Sequence, residues 1–333
     1  MTTTAVALIS GGLDGLLAAR IVQSQGIEVV GLHVRIPVYP HTARAFRGAA
    51  ALGIPLAARA IRDDYIDLLR APKQGFGRGA NPCLDCRAYM LRLAKELMEE
   101  IGAAFLITGE VLGQRPFAQR RRDLLIVAHM AGLQDRVLRP LSAKRLPPTV
   151  MEQQGLVDRS RLYDLAGRSR RPLRALAEIY GLRFVPEAAG GCALTEKLVA
   201  PRVWDLVDHD SSAGVWDLRL LTVGRHFRID KETKLVLGRN ALENNALRRL
   251  FEAAPREKKS LRLVPKNFRG PEGLLIGSTD EIALAKAIAL LCRYAKKDLP
   301  GRLQFDVVFQ QPSLNNTVTI NRDPRSWPDV RPL

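Results

Sequence analysis

The chain has 333 residues, enough for two or three domains with a buried core, and 47% of these residues are hydrophobic. Its longest apolar runs, 101–109 and 282–292, are too short to span a bilayer, and no secretory leader is visible. We therefore expect a cytoplasmic protein without membrane contact. Fifty-one Lys and Arg against 34 Asp and Glu give a net charge of +17, which favours a polyanionic partner.

The first hundred residues alternate between short apolar strands and amphipathic helices. The predicted strands are 5–9, 27–34, 56–61 and 104–108. The predicted helices are 16–25, 43–52 and 87–101. This alternation indicates a parallel sheet with crossover helices, that is, an α/β fold.

The pattern changes twice further along the chain. Residues 113–174 are arginine-rich and look irregular, and we interpret them as an insert within a first domain at 1–200. A second, α+β domain is predicted at 215–311, followed by a loose tail at 312–333. The elements predicted outside the insert are a helix at 173–180, a hairpin within 218–240, helices at 241–253 and 281–294, and strands at 261–264, 273–276 and 304–309.

The string 10-SGGLDG-15 lies between the first predicted strand and the first predicted helix. Glycines let the backbone approach an anion and direct several N–H groups at it, and the helix N-terminus adds positive potential. Asp14 would repel a phosphate unless a metal ion lies between them, so the loop predicts a nucleotide pyrophosphate with Mg²⁺. The alternative is a plain glycine turn in which Asp14 caps the helix. The candidate phosphate-binding residues are Ser10, Gly11, Gly12, Asp14 and Gly15.

Four cysteines occur in the chain, and two of them form a C-x-x-C pair, Cys83 and Cys86. Without a secretory leader this pattern indicates redox, metal or sulfur chemistry more than a disulfide framework. Cys192 lies far along the chain in the string 190-GGCALTE-196, and Cys292 lies in an apolar helical pattern that predicts a core residue.

These strings together resemble one family. The strand, SGGxD loop and helix resemble the PP-loop ATP pyrophosphatases, while 81-NPCLDCRAYM-90, 108-TGEVLGQR-115 and 190-GGCALTE-196 resemble the tRNA thiolases of that class. The resemblance implies a PP-loop (HUP-like) parallel sheet with flanking helices, and an ATP-dependent conversion of a tRNA uridine to 4-thiouridine or 2-thiouridine. Two positions depart from the family: Gly15 replaces a serine, and Cys83 replaces the aspartate of the 2-thiouridine synthases.

The resemblance also assigns roles to individual residues. It places the nucleotide beside the loop and beside His33, Thr108, Gly109, Glu110 and Gln114. It makes Asp14 and the three cysteines at 83, 86 and 192 catalytic. Two sulfur mechanisms stay open. In the favoured one, the three cysteines hold a 4Fe–4S cluster whose fourth iron carries hydrosulfide.

In the second mechanism, a persulfide on Cys86 is resolved by Cys192. The sulfur donor would be hydrosulfide or a cysteine desulfurase, and a homodimer is compatible with the sequence. Unrelated thiols or a zinc site are the other interpretation of the cysteines.

RNA binding is predicted from the basic residues and from the C-terminal domain, which resembles the RNA-binding module of NFACT-type proteins. The candidate RNA-binding residues are Arg120, Arg121, Arg122, Lys144, Arg168, Arg170, Arg171, Arg225, Arg228 and Arg239. An RNA-binding protein with a degenerate nucleotide site is the alternative from another class. Sulfur insertion into a small molecule would leave the charge of +17 without an explanation.

Overall fold

The structure is a computed structural model, and it describes all residues outside nine short gaps. The described residues are 3–38, 41–115, 118–182, 184, 186, 191–295, 299–310, 315–321 and 330–333. The chain divides into two compact units, Met1–Cys192 and Ala193–Leu333. This division falls before the predicted domain limits at 200 and 215, and a helix that the sequence analysis missed lies between those limits.

The first unit is an α/β structure. Its elements are β1 (Thr4–Leu8), α1 (Leu13–Gln23), β2 (Glu28–Arg35), α2 (Thr42–Leu52), β3 (Leu56–Ala60), α3 (Asp67–Arg70), α4 (Cys83–Ile101), β4 (Phe105–Ile107), α5 (Arg121–Met130), β5 (Val137–Leu138), α6 (Val150–Gln153) and α7 (Arg171–Ile179). The strands form one parallel sheet in the order β3-β2-β1-β4-β5. This topology confirms the predicted PP-loop type of parallel sheet.

The central position of β1 explains its composition. Ala5, Val6 and Ala7 are at most 1% exposed, as expected for a parallel strand whose two faces are both covered. Helix α1 buries Leu16 and Leu17 in the same core. Because β1 and β4 are parallel neighbours, the segments that follow them leave from the same edge of the sheet. The predicted site residues after each strand are therefore close in space.

The arginine-rich insert is not irregular, which corrects the expectation for residues 113–174. It contains α5, β5 and α6, and β5 extends the parallel sheet beside β4. Three consecutive arginines at the start of α5 are exposed, while Leu124, Val127 and Ala128 form its buried face. The helix is short and its charge is dense at one end, so the apolar periodicity was hidden in the sequence.

The second unit is an α+β structure, as predicted. Its elements are α8 (Ala200–His209), α9 (Val215–Leu220), β6 (Arg225–Arg228), β7 (Lys234–Leu237), α10 (Ala241–Glu252), β8 (Ser260–Pro265), β9 (Gly273–Ile276), α11 (Glu281–Arg293), β10 (Arg302–Phe309) and β11 (Asn316–Asn321). The strands form an antiparallel sheet in the order β11-β10-β8-β9-β7-β6. Helix α11 packs on this sheet, and Cys292 is buried there in the core, as predicted.

Two expectations for this unit need correction. The predicted hairpin is present as β6 and β7, but residues 215–220 form helix α9 ahead of it. The expected loose tail contains β11, which pairs with β10 because Val318 and Ile320 pack against the core. The rest of that tail lies partly outside the described residues. In the part of the chain that is described, no helix is long and apolar enough to cross a bilayer.

Candidate functional site

The glycine loop between β1 and α1 has the geometry of an anion-binding turn. Gly11 has a φ of 79°, and a β-carbon there would lie 2.6 Å from the backbone of Arg44 and Ala45. Glycine is therefore required at this position. Gly12 precedes the first residue of α1, and no side chain caps the helix there in the described structure. The first-turn amides of α1 and the positive end of the helix are thus directed at the space beside Ser10, which is exposed.

The segment that follows β4 packs directly on this loop. A β-carbon at Gly109 would lie 2.3 Å from the carbonyl carbon of Asp14 and 2.3 Å from the amide nitrogen of Gly15, so only glycine fits. Further along the same segment, Gln114 donates from Nε2 to the Asp14 carboxylate at 2.9 Å. The structure therefore brings together four residues that the sequence analysis assigned to the nucleotide, two from each segment.

Glu110 is held by protein partners. Its carboxylate accepts hydrogen bonds from Arg87 Nε and Arg139 Nε, both at 2.7 Å, and from the Thr108 hydroxyl at 3.0 Å. Burial opposes ionisation, but the two guanidinium groups outweigh it and lower the pKa of Glu110 to about 2. Glu110 thereby connects β4 with α4 and with β5. Thr108 and Glu110 hold the segment after β4 in place through contacts within the protein. Direct contact of these two residues with ATP stays a prediction.

His33 is 2% exposed and uses both ring nitrogens within the protein. Nδ1 lies 3.0 Å from the Ile9 carbonyl, and Nε2 lies 3.1 Å from the Thr42 hydroxyl. Burial lowers the pKa of His33, so the ring is neutral at physiological pH. The residue joins the end of β1 to the start of α2, and contact with the nucleotide stays a prediction here too.

The C-x-x-C pair opens helix α4. Cys83 is the first residue of the helix, and the Cys86 amide donates to the Pro82 carbonyl at 2.8 Å. Asp85, between the two cysteines, is 1% exposed and accepts hydrogen bonds from the amides of Lys73 at 2.9 Å and Gln74 at 3.0 Å. This carboxylate holds the preceding loop against the start of α4. The backbone that carries both thiols is therefore held in place.

The thiols of Cys83 and Cys192 both act electrostatically on the Cys86 thiol. Burial raises the pKa of Cys86 to about 12, the Tyr65 hydrogen bond lowers it, and Cys192 and Cys83 raise it further. Tyr65 donates its hydroxyl proton to Cys86 Sγ at 3.1 Å. Burial also raises the pKa of Cys83, against the positive charges of Arg87 and Arg115. The lone thiol from residue 192 therefore acts electrostatically on the pair that opens α4.

Two metal interpretations apply to the three thiols. Among the described residues, no group of three or more His, Cys, Asp or Glu side chains is placed to hold a metal ion. The arrangement of the thiols therefore supports neither zinc nor a cluster, and only the type of donor bears on the choice. A 4Fe–4S cluster uses one cysteine on each of its ligated irons, and three thiols in one neighbourhood supply that chemistry. The chemical type of the donors fits the cluster.

The loop and the thiols are connected through the segment after β4. Gln114 bonds to Asp14 of the glycine loop, and the charge of the next residue, Arg115, acts on Cys83. Arg87 gives a second connection, since it bonds Glu110 and its charge acts on Cys86. The glycine loop and the thiol pair are therefore connected through the segment after β4 and through Arg87.

The basic residues predicted to bind RNA in the first unit lie mostly on its surface. Arg120, Arg121 and Arg122 are exposed at the first turn of α5. The exposed set also includes Arg168, Arg171 and Lys144, whose Nζ donates to the Ser160 carbonyl at 2.8 Å. Arg170, Arg171 and Arg174 line a cavity of about 400 Å³ at the start of α7. Glu178 lines it as well, so three arginines and one carboxylate leave a net positive charge that would favour a phosphate contact.

The three arginines predicted in the second unit have protein partners. Arg228 makes a two-fold hydrogen bond to Asp205 at 2.8 and 2.9 Å. Arg239 bonds the carboxylate of Glu243 one helical turn away. Arg225 lies over the ring of Tyr294, with the guanidinium carbon 4.9 Å from the ring centre. RNA contact at these positions stays a prediction, and Arg228 is the least available for it.

Sequence reasoning missed several residues of the site. Tyr65, Asp85, Arg87 and Arg139 each contact a predicted site residue. Arg87 could have been noticed, because a cation directly after C-x-x-C favours thiolate chemistry. Tyr65 and Arg139 carry no local pattern, since only the tertiary structure brings them to the site.

Fold and site together define a class. A parallel sheet with strand order 3-2-1-4-5, a glycine loop after β1 and a thiol pair at the start of α4 are the features of a nucleotide-binding α/β unit with sulfur chemistry.

Comparison with protein families agrees with that class. Residues 1–144 match the family model described as thiamine biosynthesis protein (ThiI), and residues 224–325 match the NFACT protein RNA binding domain. Both resemblances predicted from the sequence motifs are thereby confirmed.

Curated relatives give the same picture. The tRNA-specific 2-thiouridylase MnmA of Micrococcus luteus is 25% identical over 274 residues, covering 76% of this chain and 70% of that protein. The probable tRNA sulfurtransferase of Halobacterium salinarum is 34% identical over 119 residues, covering 33% of this chain and 29% of that protein. A solved complex of a 4-thiouridine synthetase with RNA and bound ATP covers 59% of this chain and 46% of that chain, at 19% identity and a TM-score of 0.37. The assignment of the fold rests on strand order.

Proposed function

We propose that this protein is an ATP-dependent tRNA thiolase, an enzyme that replaces a uridine carbonyl oxygen by sulfur. The observation that carries the proposal is the pair of adjacent residues Gln114 and Arg115, one bonded to Asp14 of the glycine loop and the other acting on Cys83. Activation and sulfur delivery both need access to the same base, and in this proposal the one segment would border both functions. The matched families and relatives support this class of reaction.

The glycine loop would bind the phosphates of ATP. The uridine carbonyl oxygen attacks the α-phosphate, pyrophosphate leaves, and the base carries AMP on that oxygen. A sulfur nucleophile then attacks the uridine carbon that bears this oxygen, and AMP departs with the original oxygen. Asp14 would hold Mg²⁺ against the pyrophosphate, and Gln114 would orient the Asp14 carboxylate through its hydrogen bond. The loop amides and the positive end of α1 would stabilise the charge that develops on the phosphates.

Cys83, Cys86 and Cys192 would receive the sulfur. When bound, a 4Fe–4S cluster would supply an open iron site for hydrosulfide. The chain's contribution would be to bring the three thiols to one site and to limit the access of water to Cys86, which is half-buried and whose pKa burial raises to about 12. We favour the cluster over a Cys86 persulfide because a C-x-x-C pair with one distant cysteine resembles the thiolases that hold such a cluster, with hydrosulfide or a cysteine desulfurase as donor.

The tRNA would be held by the second unit and by the exposed arginines of the first. The match to an RNA binding domain over 224–325 supports the first part of this proposal. The cavity lined by Arg170, Arg171 and Arg174 supports the second part, because phosphate contacts supply most of the affinity for nucleic acids.

The test replaces Cys86 or Cys192 by Ser in the full-length protein purified without oxygen. We expect tRNA thiolation to fall below detection in both variants, because each lacks one sulfur of the set. Circular dichroism should stay unchanged, and Cys292→Ala, a change in the core of the other unit, should keep thiolation. Full thiolation in either cysteine variant would contradict the sulfur role.

ATP turnover separates the proposed function from simple RNA binding. A thiolase releases AMP and pyrophosphate when tRNA is added, whereas a binder with a degenerate nucleotide site releases neither. Iron and sulfide assays on the same preparation separate the two sulfur mechanisms. A brown protein with about four irons per chain supports the cluster, and an active protein without iron supports the persulfide.

A further inference from the structure

Tyr65 is placed in the sulfur pocket by packing. Its side chain is 1% exposed, and its hydroxyl donates to Cys86 Sγ at 3.1 Å. The ring packs edge-on against Tyr89, with ring centres 5.4 Å apart and an angle of 88°. Tyr89 is fixed in turn, because its hydroxyl donates to Asp64 at 2.6 Å and accepts from the Arg62 amide at 3.1 Å. The Tyr65 ring is therefore confined to one orientation.

The Tyr65 hydroxyl lies against the Cys86 thiol. Cys86, Cys192 and Cys83 each act electrostatically on it, and Cys86 also accepts its hydrogen bond. The hydroxyl reaches this position from the turn after β3, and neither cysteine segment supplies an equivalent group among the contacts described. A neutral donor in a buried pocket can stabilise negative charge on sulfur without carrying a charge of its own.

We propose that Tyr65 is a positioning residue of the sulfur site, whose hydroxyl fixes the position of the Cys86 sulfur and stabilises negative charge on it. The meaning of this role for catalysis rests on the proposed thiolase function. The hydrogen bond itself does not depend on the sulfur mechanism. It would act on a free thiolate, on a cluster-bound thiolate and on the inner sulfur of a persulfide alike.

The test is Tyr65→Phe in the full-length protein, which removes the hydroxyl and keeps the ring. The matched control is Tyr163→Phe, because the Tyr163 hydroxyl bonds only to the Tyr180 hydroxyl, at 3.0 Å, among the contacts described in the same unit. Iodoacetamide at one fixed pH labels the reduced protein, and mass spectrometry reports the labelling rate of Cys86. Cys83 lies in the same tryptic peptide and serves as the internal reference.

We expect Cys86 to be labelled about threefold more slowly relative to Cys83 in Tyr65→Phe, because the attacking sulfur has lost a hydrogen bond to its negative charge. Tyr163→Phe should keep the wild-type ratio. An unchanged or faster ratio in Tyr65→Phe, or the same decrease in Tyr163→Phe, would overturn the proposal.

A second measurement connects Tyr65 to the reaction. In thiolation assays, Tyr65→Phe should lower kcat several-fold and leave the KM for tRNA unchanged, since the hydroxyl faces sulfur and not RNA. If the wild-type protein showed no thiolation activity, the proposed function would be wrong. The labelling ratio of Cys86 to Cys83 would still test the role of Tyr65.

Discussion

At the scale of single residues, Gly15 is the position where this chain departs most clearly from the PP-loop thiolases. A β-carbon there would lie 3.0 Å from the Leu8 carbonyl oxygen, the last residue of β1. The glycine therefore lets α1 begin close to the strand, at the loss of a hydroxyl that the family uses on phosphate. The substitution and the tight packing belong together, because a serine β-carbon would need the Leu8 carbonyl to move by a few tenths of an ångström.

This explanation predicts different results for Gly15→Ala and Gly15→Ser. Both variants should melt at a lower temperature, with a loss of about 1–3 kcal/mol of stability, because they share the same crowded β-carbon. The serine variant should bind ATP–Mg²⁺ about tenfold more tightly than the alanine variant, since it regains a hydrogen bond to charged phosphate. Thermal melting and calorimetric titration measure both effects. Equal affinities in the two variants would show that residue 15 does not contact phosphate.

At the scale of elements, Glu110 joins three parts of the parallel sheet. It connects the end of β4 with Arg87 on α4 and with Arg139 after β5. Replacing Glu110 by Gln leaves two guanidinium groups without their carboxylate, one of them 5% exposed. We expect a loss of about 3–5 kcal/mol in the free energy of unfolding at pH 7. Asp67→Asn is the control, because Asp67 pairs with Arg70 at the surface and should contribute little.

The same variant should change the acid sensitivity of the protein. The pKa of Glu110 is lowered to about 2 in the folded state by its two arginines, and an unfolded glutamate titrates near 4.3. Its contribution is therefore complete above the unfolded pKa and is lost as the pH falls towards 2. Chemical denaturation between pH 2 and pH 7 should show a shallower decline for Glu110→Gln than for the wild type. Parallel curves would mean that Glu110 is not the group responsible.

The sequence predicted these elements unevenly. Strands β1 to β4 and helix α4 were recognisable because their apolar periodicity is long or continuous, and the glycine loop was recognisable because backbone geometry restricts residue choice there. Helix α5 was missed because its arginines are concentrated at one end. Tyr65 and Arg139 could not be predicted, because their contacts join residues 21 and 29 positions away across the fold.

At the scale of the whole molecule, the charge of +17 is spread over two units with different uses for arginine. In the second unit the predicted arginines mostly stabilise the protein, as Arg228 does with Asp205. In the first unit Arg171 and Arg174 are exposed beside a cavity. We therefore expect the predicted arginines of the first unit to make more phosphate contacts than those of the second unit. They should contribute most of the salt dependence of tRNA binding that the predicted arginines provide.

Replacing Arg171 and Arg174 together by Ala should weaken tRNA binding and reduce the slope of log K against log salt by about 1–2 units, roughly one for each lost phosphate contact. The control is Arg59→Ala, since Arg59 already pairs with Glu96 and Glu100. Filter binding or fluorescence anisotropy over a range of KCl concentrations gives both slopes. A double variant with the wild-type slope would place the phosphate contacts elsewhere.

The order of the strands has a consequence for how ligands reach the site. The chain builds the sheet outward from β1 through β2 to β3, and then returns to the other side of β1 with β4 and β5. At such a reversal a crevice opens above the carboxyl ends of the two strands that flank it. Its floor is bare backbone, because Gly11 and Gly109 both lack room for a side chain. Surface segments can thus diverge widely in length and charge while the floor of the crevice keeps its shape.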